Sequence, residues 1–309
     1  MIAPISGIIP VMLTPFDPEG RIDWGSLEAL IEWYIAKGSE ALFAVCQSSE
    51  MQHLSIEERV ELARFTVQAA KGRLPVVASG HVAHGLDAQI AELRAIGETG
   101  IDGLVLVTNR LDPQRKGPDV FRANLERLLD ALPADLPLGL YECPAPFRRL
   151  LSDDELKFCC DSGRFAVLKD VSCDLDVLLN RMALAEGSPL AIVNANAAIA
   201  WAALKAGAPG FCGIANNYHP DLYRWLAEHG RAHPTLSKDL GAFLTLASLS
   251  EAYGYPAVAK LYHQRLGTVK SIRSRAIDYD IRERHWALDE ILDALTTGTE
   301  YFRMMIRGL

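Results

Sequence analysis

Short apolar runs alternate with amphipathic stretches along about two-thirds of this chain. Residues 7–13 (GIIPVML), 41–46 (ALFAVC), 75–79 (PVVAS), 103–107 (GLVLV) and 137–142 (PLGLYE) are expected strands. Residues 165–170 (FAVLKD), 190–195 (LAIVNA) and 210–215 (GFCGIA) are expected to supply three more. The stretches between them have helical spacing. Asp23 is placed to cap a helix whose apolar face includes Leu27, Leu30, Ile31 and Tyr34. Ser55 with Glu58, and Ser152 with Glu155, form two capping boxes, the first followed by Val60, Ala63 and Val67 on one face. Another helix is expected over 86–98. Nearly continuous apolar strands separated by crossovers of about a dozen residues or more indicate parallel pairing under a cover of helices. Eight such units close naturally as an α/β fold of the (β/α)8 TIM-barrel type. An open doubly wound sheet is the competing architecture, weakened because no Gly-x-Gly-x-x-Gly follows the first strand. From about residue 234 the β pattern disappears, and helical stretches near 235–252, 256–274 and 283–306 remain. The expected organisation is a barrel over 1–233 carrying the active site, with a three-helix appendage over 234–309 packed on it.

Composition narrows the partners. The chain has 309 residues, half of them apolar, and a formal net charge of -8. That charge argues against nucleic acid or an anionic membrane as the main partner, although a local site can still be positive. No apolar run approaches the roughly 20 residues of a membrane span, and the N-terminus has no signal-peptide pattern. A cytoplasmic location is expected. Six cysteines match neither a zinc ribbon nor a Cys-x-x-Cys pair, so they are expected to be reduced. No histidines or carboxylates join them at ligand spacing, so neither a metal nor a cofactor is expected.

Candidate chemistry starts at Lys169. It ends an apolar strand, where an ammonium is costly to desolvate. Desolvation in general favours the neutral amine, which attacks carbonyl carbon. A barrel gathers catalytic groups at the C-terminal ends of its strands. That rim would bring Lys169 together with Gln47, Ser48 and Ser49 after the second strand, Tyr141 and Glu142 at the fifth, and Cys212 and Gly213 at the eighth. Such a set suits Schiff-base chemistry on a 2-oxo acid. The amine attacks the ketone, the phenol relays protons, and the serine hydroxyls with loop N–H groups hold the carboxylate. His81 and Arg110, each near a strand end, are further candidates. Cys46, Cys143, Cys173 and Cys212 also fall at or beyond strand ends, which raises the expectation of a thiol-lined pocket.

These motifs resemble the dihydrodipicolinate synthase/N-acetylneuraminate lyase family of pyruvate-type class I lyases. The opening through Thr14-Pro15-Phe16 is similar to the family's start, and residues 46–50 (CQSSE) lie where the family has Gly-Thr-Thr-Gly-Glu. Tyr141 to Pro144 resembles Tyr-Asn-x-Pro, whose tyrosine is the proton relay, and Leu168-Lys169-Asp170 with Ser172 resembles the Schiff-base segment. Gly213 to Asn216 and Pro256 to Lys260 resemble later segments, so the likeness spans essentially the whole chain. It implies the barrel, the imine mechanism and a homotetramer built as a dimer of dimers. The departures are specific. Gln47 replaces the first threonine, Asn109-Arg110-Leu111 stands where a Pro-Tyr-Tyr segment would supply a relay tyrosine, and Pro146 occupies the position of an arginine that binds the second substrate's carboxylate. Arg148 and Arg149 follow just beyond. The expected activity is therefore aldol-type lysis or synthesis with pyruvate or a related 2-oxo acid. Sugar-acid dehydration, dihydrodipicolinate synthesis proper, or a non-catalytic barrel that binds a 2-oxo acid are the alternatives.

Overall fold

The computed structural model describes residues 2–309. Its eight strands are β1 (Gly7–Ile8), β2 (Leu42–Phe43), β3 (Val76–Ala78), β4 (Gly103–Val107), β5 (Leu138–Tyr141), β6 (Phe165–Asp170), β7 (Ala191–Asn194) and β8 (Gly210–Phe211). All pair in parallel, in the order β1-β8-β7-β6-β5-β4-β3-β2. A bridge between Val11 and Phe43, with the Met12 N–H donating to the Phe43 carbonyl at 3.0 Å, brings the two ends of this order together. The fold is a (β/α)8 barrel with additional helices at the C-terminal end.

Several strands are shorter than their apolar runs, and residue chemistry explains the first. Pro10 has no N–H, so the ladder with β8 stops after the Ile9 N–H reaches the Phe211 carbonyl. Beyond it the chain pairs with β2 instead. At the other side of the seam, a Cβ on Gly210 would lie 2.1 Å from the Gly7 carbonyl oxygen, so only glycine lets β1 and β8 approach this closely.

The helices between strands are seated by the expected caps. Asp23 accepts from the Ser26 N–H at 3.0 Å, and Leu27, Leu30, Ile31 and Tyr34 are all buried. Both capping boxes form, at Ser55–Glu58 and Ser152–Glu155. In the helix Ile56–Ala70 the buried stripe runs through Leu62, Ala63, Thr66 and Ala70, with Val60 and Val67 only half-buried at its margin.

The C-terminal region departs from three uninterrupted helices. Pro234–Ala247 is followed by a 3-10 segment, Ser248–Tyr253, and then by the helix Ala257–Arg265. The expected continuation to residue 274 fails after Leu266, where Gly267 takes a left-handed φ of 76°. A non-helical strap leads to Ile281–Arg284 and the last helix, Leu288–Arg307. Among the described residues, no helix is long and apolar enough to cross a membrane.

Candidate active site

Parallel register sets Tyr141 on β5 directly beside Lys169 on β6, with Val193 of β7 on the other side. Tyr141 and Lys169 therefore project to the same face. The Lys169 Nζ lies 4.4 Å from the centre of the Tyr141 ring and 6.0 Å from that of Phe43. Phe43 and Tyr141 meet edge-on at 5.7 Å. Lys169 is 6% exposed and, among the described residues, takes part in no ion pair. The other buried lysine behaves differently: Lys260 donates to Glu50 at 2.5 Å.

A cavity of about 410 Å³ opens over this amine. Lys169, Tyr141, Gln47, Ser48 and the exposed Cys173 are among the residues that line it. The Tyr141 hydroxyl approaches Gln47 Oε1 at 3.4 Å, and the Cys143 thiol reaches the same oxygen at 3.4 Å. Burial pushes the Tyr141 phenol well above the ordinary tyrosine range, and neighbouring thiols add to the effect. Ser48 is buried, with its hydroxyl beside the Tyr255 phenol.

Other expected site residues lie elsewhere. Ser49 is fully buried, and its hydroxyl both donates to the Cys46 carbonyl at 2.7 Å and accepts from the Cys46 N–H at 2.8 Å, closing the turn. Glu142 follows Tyr141 in the chain and so points to the opposite face of the sheet. There Arg181 donates to both of its oxygens, at 2.7 and 2.9 Å, while also pairing with Asp170. His81 is a core histidine. Its Nδ1 meets Gln89 Oε1 at 3.0 Å and its Nε2 accepts from the Val107 N–H at 2.6 Å, which requires the proton on Nδ1. Burial lowers it to about 4. Arg110 is half-buried and does not line the cavity. Cys212 and Gly213 do not line it either. The Cys212 thiol is buried, and a Cβ on Gly213 would strike the Phe211 ring and the Ala195 carbonyl, so packing accounts for this glycine.

The thiol cluster is also corrected. Cys46, Cys143 and Cys212 are buried around Lys169, and burial raises all three thiols, Cys212 to about 12, while the Lys169 charge opposes the rise. Among the described residues, Cys173 is the only cysteine that lines the cavity, and no arginine does. Arg148 donates to the Val171 and Ser172 carbonyls at 3.1 and 3.3 Å, and Arg149 is held by Glu155 at 2.6 Å. Asn109, in place of a relay tyrosine, donates to the Cys143, Ala145 and Phe147 carbonyls and shapes the loop after β5.

The outer wall was missed by the sequence reading. Gln52, His53, Asn196, Glu251, Tyr255 and Ala276 all face the cavity. Tyr255 accepts from Asn217 Nδ2 at 3.0 Å, which fixes a second phenol near Ser48. The available signal was the turn at Tyr253-Gly254-Tyr255-Pro256, where a glycine and a proline separate two helical stretches.

Known proteins share this arrangement of the chain. The sequence pattern of the dihydrodipicolinate synthetase family matches residues 4–269. The 4-hydroxy-tetrahydrodipicolinate synthase of Shewanella sp. (strain W3-18-1) is 27% identical over 299 residues, covering 94% of this chain and 97% of that protein. A dihydrodipicolinate synthase structure from Bacillus anthracis superposes with a TM-score of 0.83 at 21% identity, covering 94% of this chain and 98% of that one. The chloride-inhibited dihydrodipicolinate synthase from Acinetobacter baumannii, complexed with pyruvate, gives a TM-score of 0.81 at 22% identity, covering 94% and 99%. At these identities the structural likeness speaks for the fold alone.

Proposed function

The chain belongs to the dihydrodipicolinate synthetase family, and on that premise we propose that it is a class I lyase of the aldolase type, acting on pyruvate or a related 2-oxo acid through an imine on Lys169. The observation that carries this reading is the placement of Lys169, at a strand end inside the cavity, 4.4 Å from the ring centre of Tyr141. In this scheme the amine adds to the ketone carbon. The Tyr141 phenol gives a proton to the departing hydroxyl as the carbinolamine collapses. Ser48 and neighbouring loop N–H groups hold the carboxylate, and the protonated imine draws electrons from the bond beyond it. A homotetramer without a cofactor is the form expected of such an enzyme.

Dihydrodipicolinate synthesis proper is the less favoured reaction. Among the described residues no arginine lines the cavity, with Arg148 and Arg149 engaged elsewhere, so a second reactant bearing its own carboxylate has no guanidinium to meet. The same observation favours, as a second reading, dehydration of a sugar acid on the same imine. Borohydride reduction in the presence of pyruvate tests the shared chemistry. The peptide containing Lys169 is expected to gain the mass of a reduced pyruvate adduct. An unmodified Lys169 peptide would sink the imine reading and leave a non-catalytic barrel.

A further inference from the structure

We propose that Glu251 is the acid–base group of the cavity's outer half, exchanging the proton of the substrate hydroxyl whose carbon is released as an aldehyde. This role rests on the imine at Lys169. Glu251 lies in the 3-10 segment Ser248–Tyr253, and its side chain lines the cavity with Lys169, Asn196 and Ile214. Glu251, Asn196, Ile214 and Ala195 also line an adjoining hollow of about 430 Å³ that includes neither Lys169 nor Tyr141. Glu251 thus stands on the wall shared by the two spaces, beside whatever part of the substrate extends past the imine.

A proton relay needs an end that can change its protonation. The Tyr141 hydroxyl ends on Gln47 Oε1, an amide oxygen that does not serve as a base. The other carboxylate on the wall, Glu50, is committed to Lys260, to the Ser274 hydroxyl, and to the N–H groups of Arg275 and Ala276. Among the described residues, no donor or cation is bonded to the Glu251 carboxylate. Although much of the residue is open to solvent, enclosure by the wall raises its carboxyl above the ordinary range, and the nearby Lys169 charge acts in the opposite direction. The titratable groups sharing its space are Lys169, Tyr141, Tyr255, Cys173, His53 and the paired Glu50.

The step balances without any oxidant. In cleavage the Glu251 carboxylate takes the hydroxyl proton, and the O–H electron pair becomes the new carbonyl bond of the aldehyde. The bond from that carbon to the carbon beside the imine breaks. Its electrons form the enamine double bond, while the C=N pair moves onto nitrogen. In synthesis the neutral carboxyl returns the proton to the new alkoxide.

The test compares the wild-type chain with Glu251→Gln and Glu251→Asp, using cleavage of the aldols of pyruvate with acetaldehyde and with glycolaldehyde. Glu251→Gln is expected to lower kcat by about 10²-fold or more with little change in KM. It should also erase the fall of kcat on the acidic side, where the carboxylate would become protonated. Glu251→Asp should restore part of the rate and the acidic limb. All three proteins should melt together and give the same borohydride adduct with pyruvate at Lys169. An intact adduct with Glu251→Gln turnover within about threefold of wild type, and an unmoved acidic limb, overturns the role of Glu251 alone. A wild-type chain that forms no adduct overturns the imine reading, and this role with it.

Discussion

Lys169 and Tyr141 are neighbours because two strands pair in one register, so their roles can be separated by substitution without moving the backbone. In the proposed scheme Lys169→Ala removes the atom that bonds to substrate, and turnover of a 2-oxo acid aldol should disappear. Tyr141→Phe keeps the ring against the amine and removes only the hydroxyl. It should lower kcat by about 10²–10⁴-fold while the borohydride adduct still forms, more slowly. Equal rates for Tyr141→Phe and wild type in a steady-state assay would count against the relay. The two residues were legible because a lysine closing an apolar strand is conspicuous. Glu142 could have been set aside by the same period of two that placed Tyr141 inward, since consecutive strand residues face opposite sides. His81 was less readable. Nothing in its neighbours reveals that Gln89 and the Val107 N–H occupy both of its ring nitrogens.

At the scale of elements, Glu50 joins the loop after β2 to the C-terminal helices. It holds a left-handed φ of 63°, unusual for a residue with a side chain, and accepts from Lys260, Ser274, Arg275 and Ala276. Burial pulls the Lys260 amine down to about 8, even though Glu50 acts to raise it. Removing one member of such a pair strands the other charge. Lys260→Met should therefore lower the free energy of unfolding in urea by about 3 kcal/mol, and adding Glu50→Gln should recover part of the loss. A Lys260→Met variant as stable as wild type would refute the cost assigned to the stranded Glu50 charge. The strands, capping boxes and barrel order were visible in sequence because period, caps and crossover length are local properties. The ends of elements were not. Pro10 cuts a ladder only because of the strand that lies opposite, and the strap after Gly267 is held by Glu50, more than two hundred residues earlier.

For the whole molecule, three buried histidines make acid the weak side. Burial lowers His81 to about 4, His219 to about 3 and His263 to about 4. In the unfolded chain each would take a proton near pH 6.5. Between that value and about 4 the unfolded state binds more protons, so stability is fully present above pH 6.5 and is lost as pH falls. Unfolding in urea at pH 5 should require less free energy than at pH 7, on the order of 1–2 kcal/mol for each histidine. Identical unfolding curves at the two pH values would refute this. The cavity has an equally global consequence, because its lining runs from Gln47, just after β2, to Ala276 and joins the barrel to the helices beyond it. A ribosome that has just released the eighth strand has already made the amine's seat but not the part of the outer wall that Glu251, Tyr255 and Ala276 supply. The growing chain would lack that wall until its last third emerged, and a chain truncated just after the barrel would lack it for good.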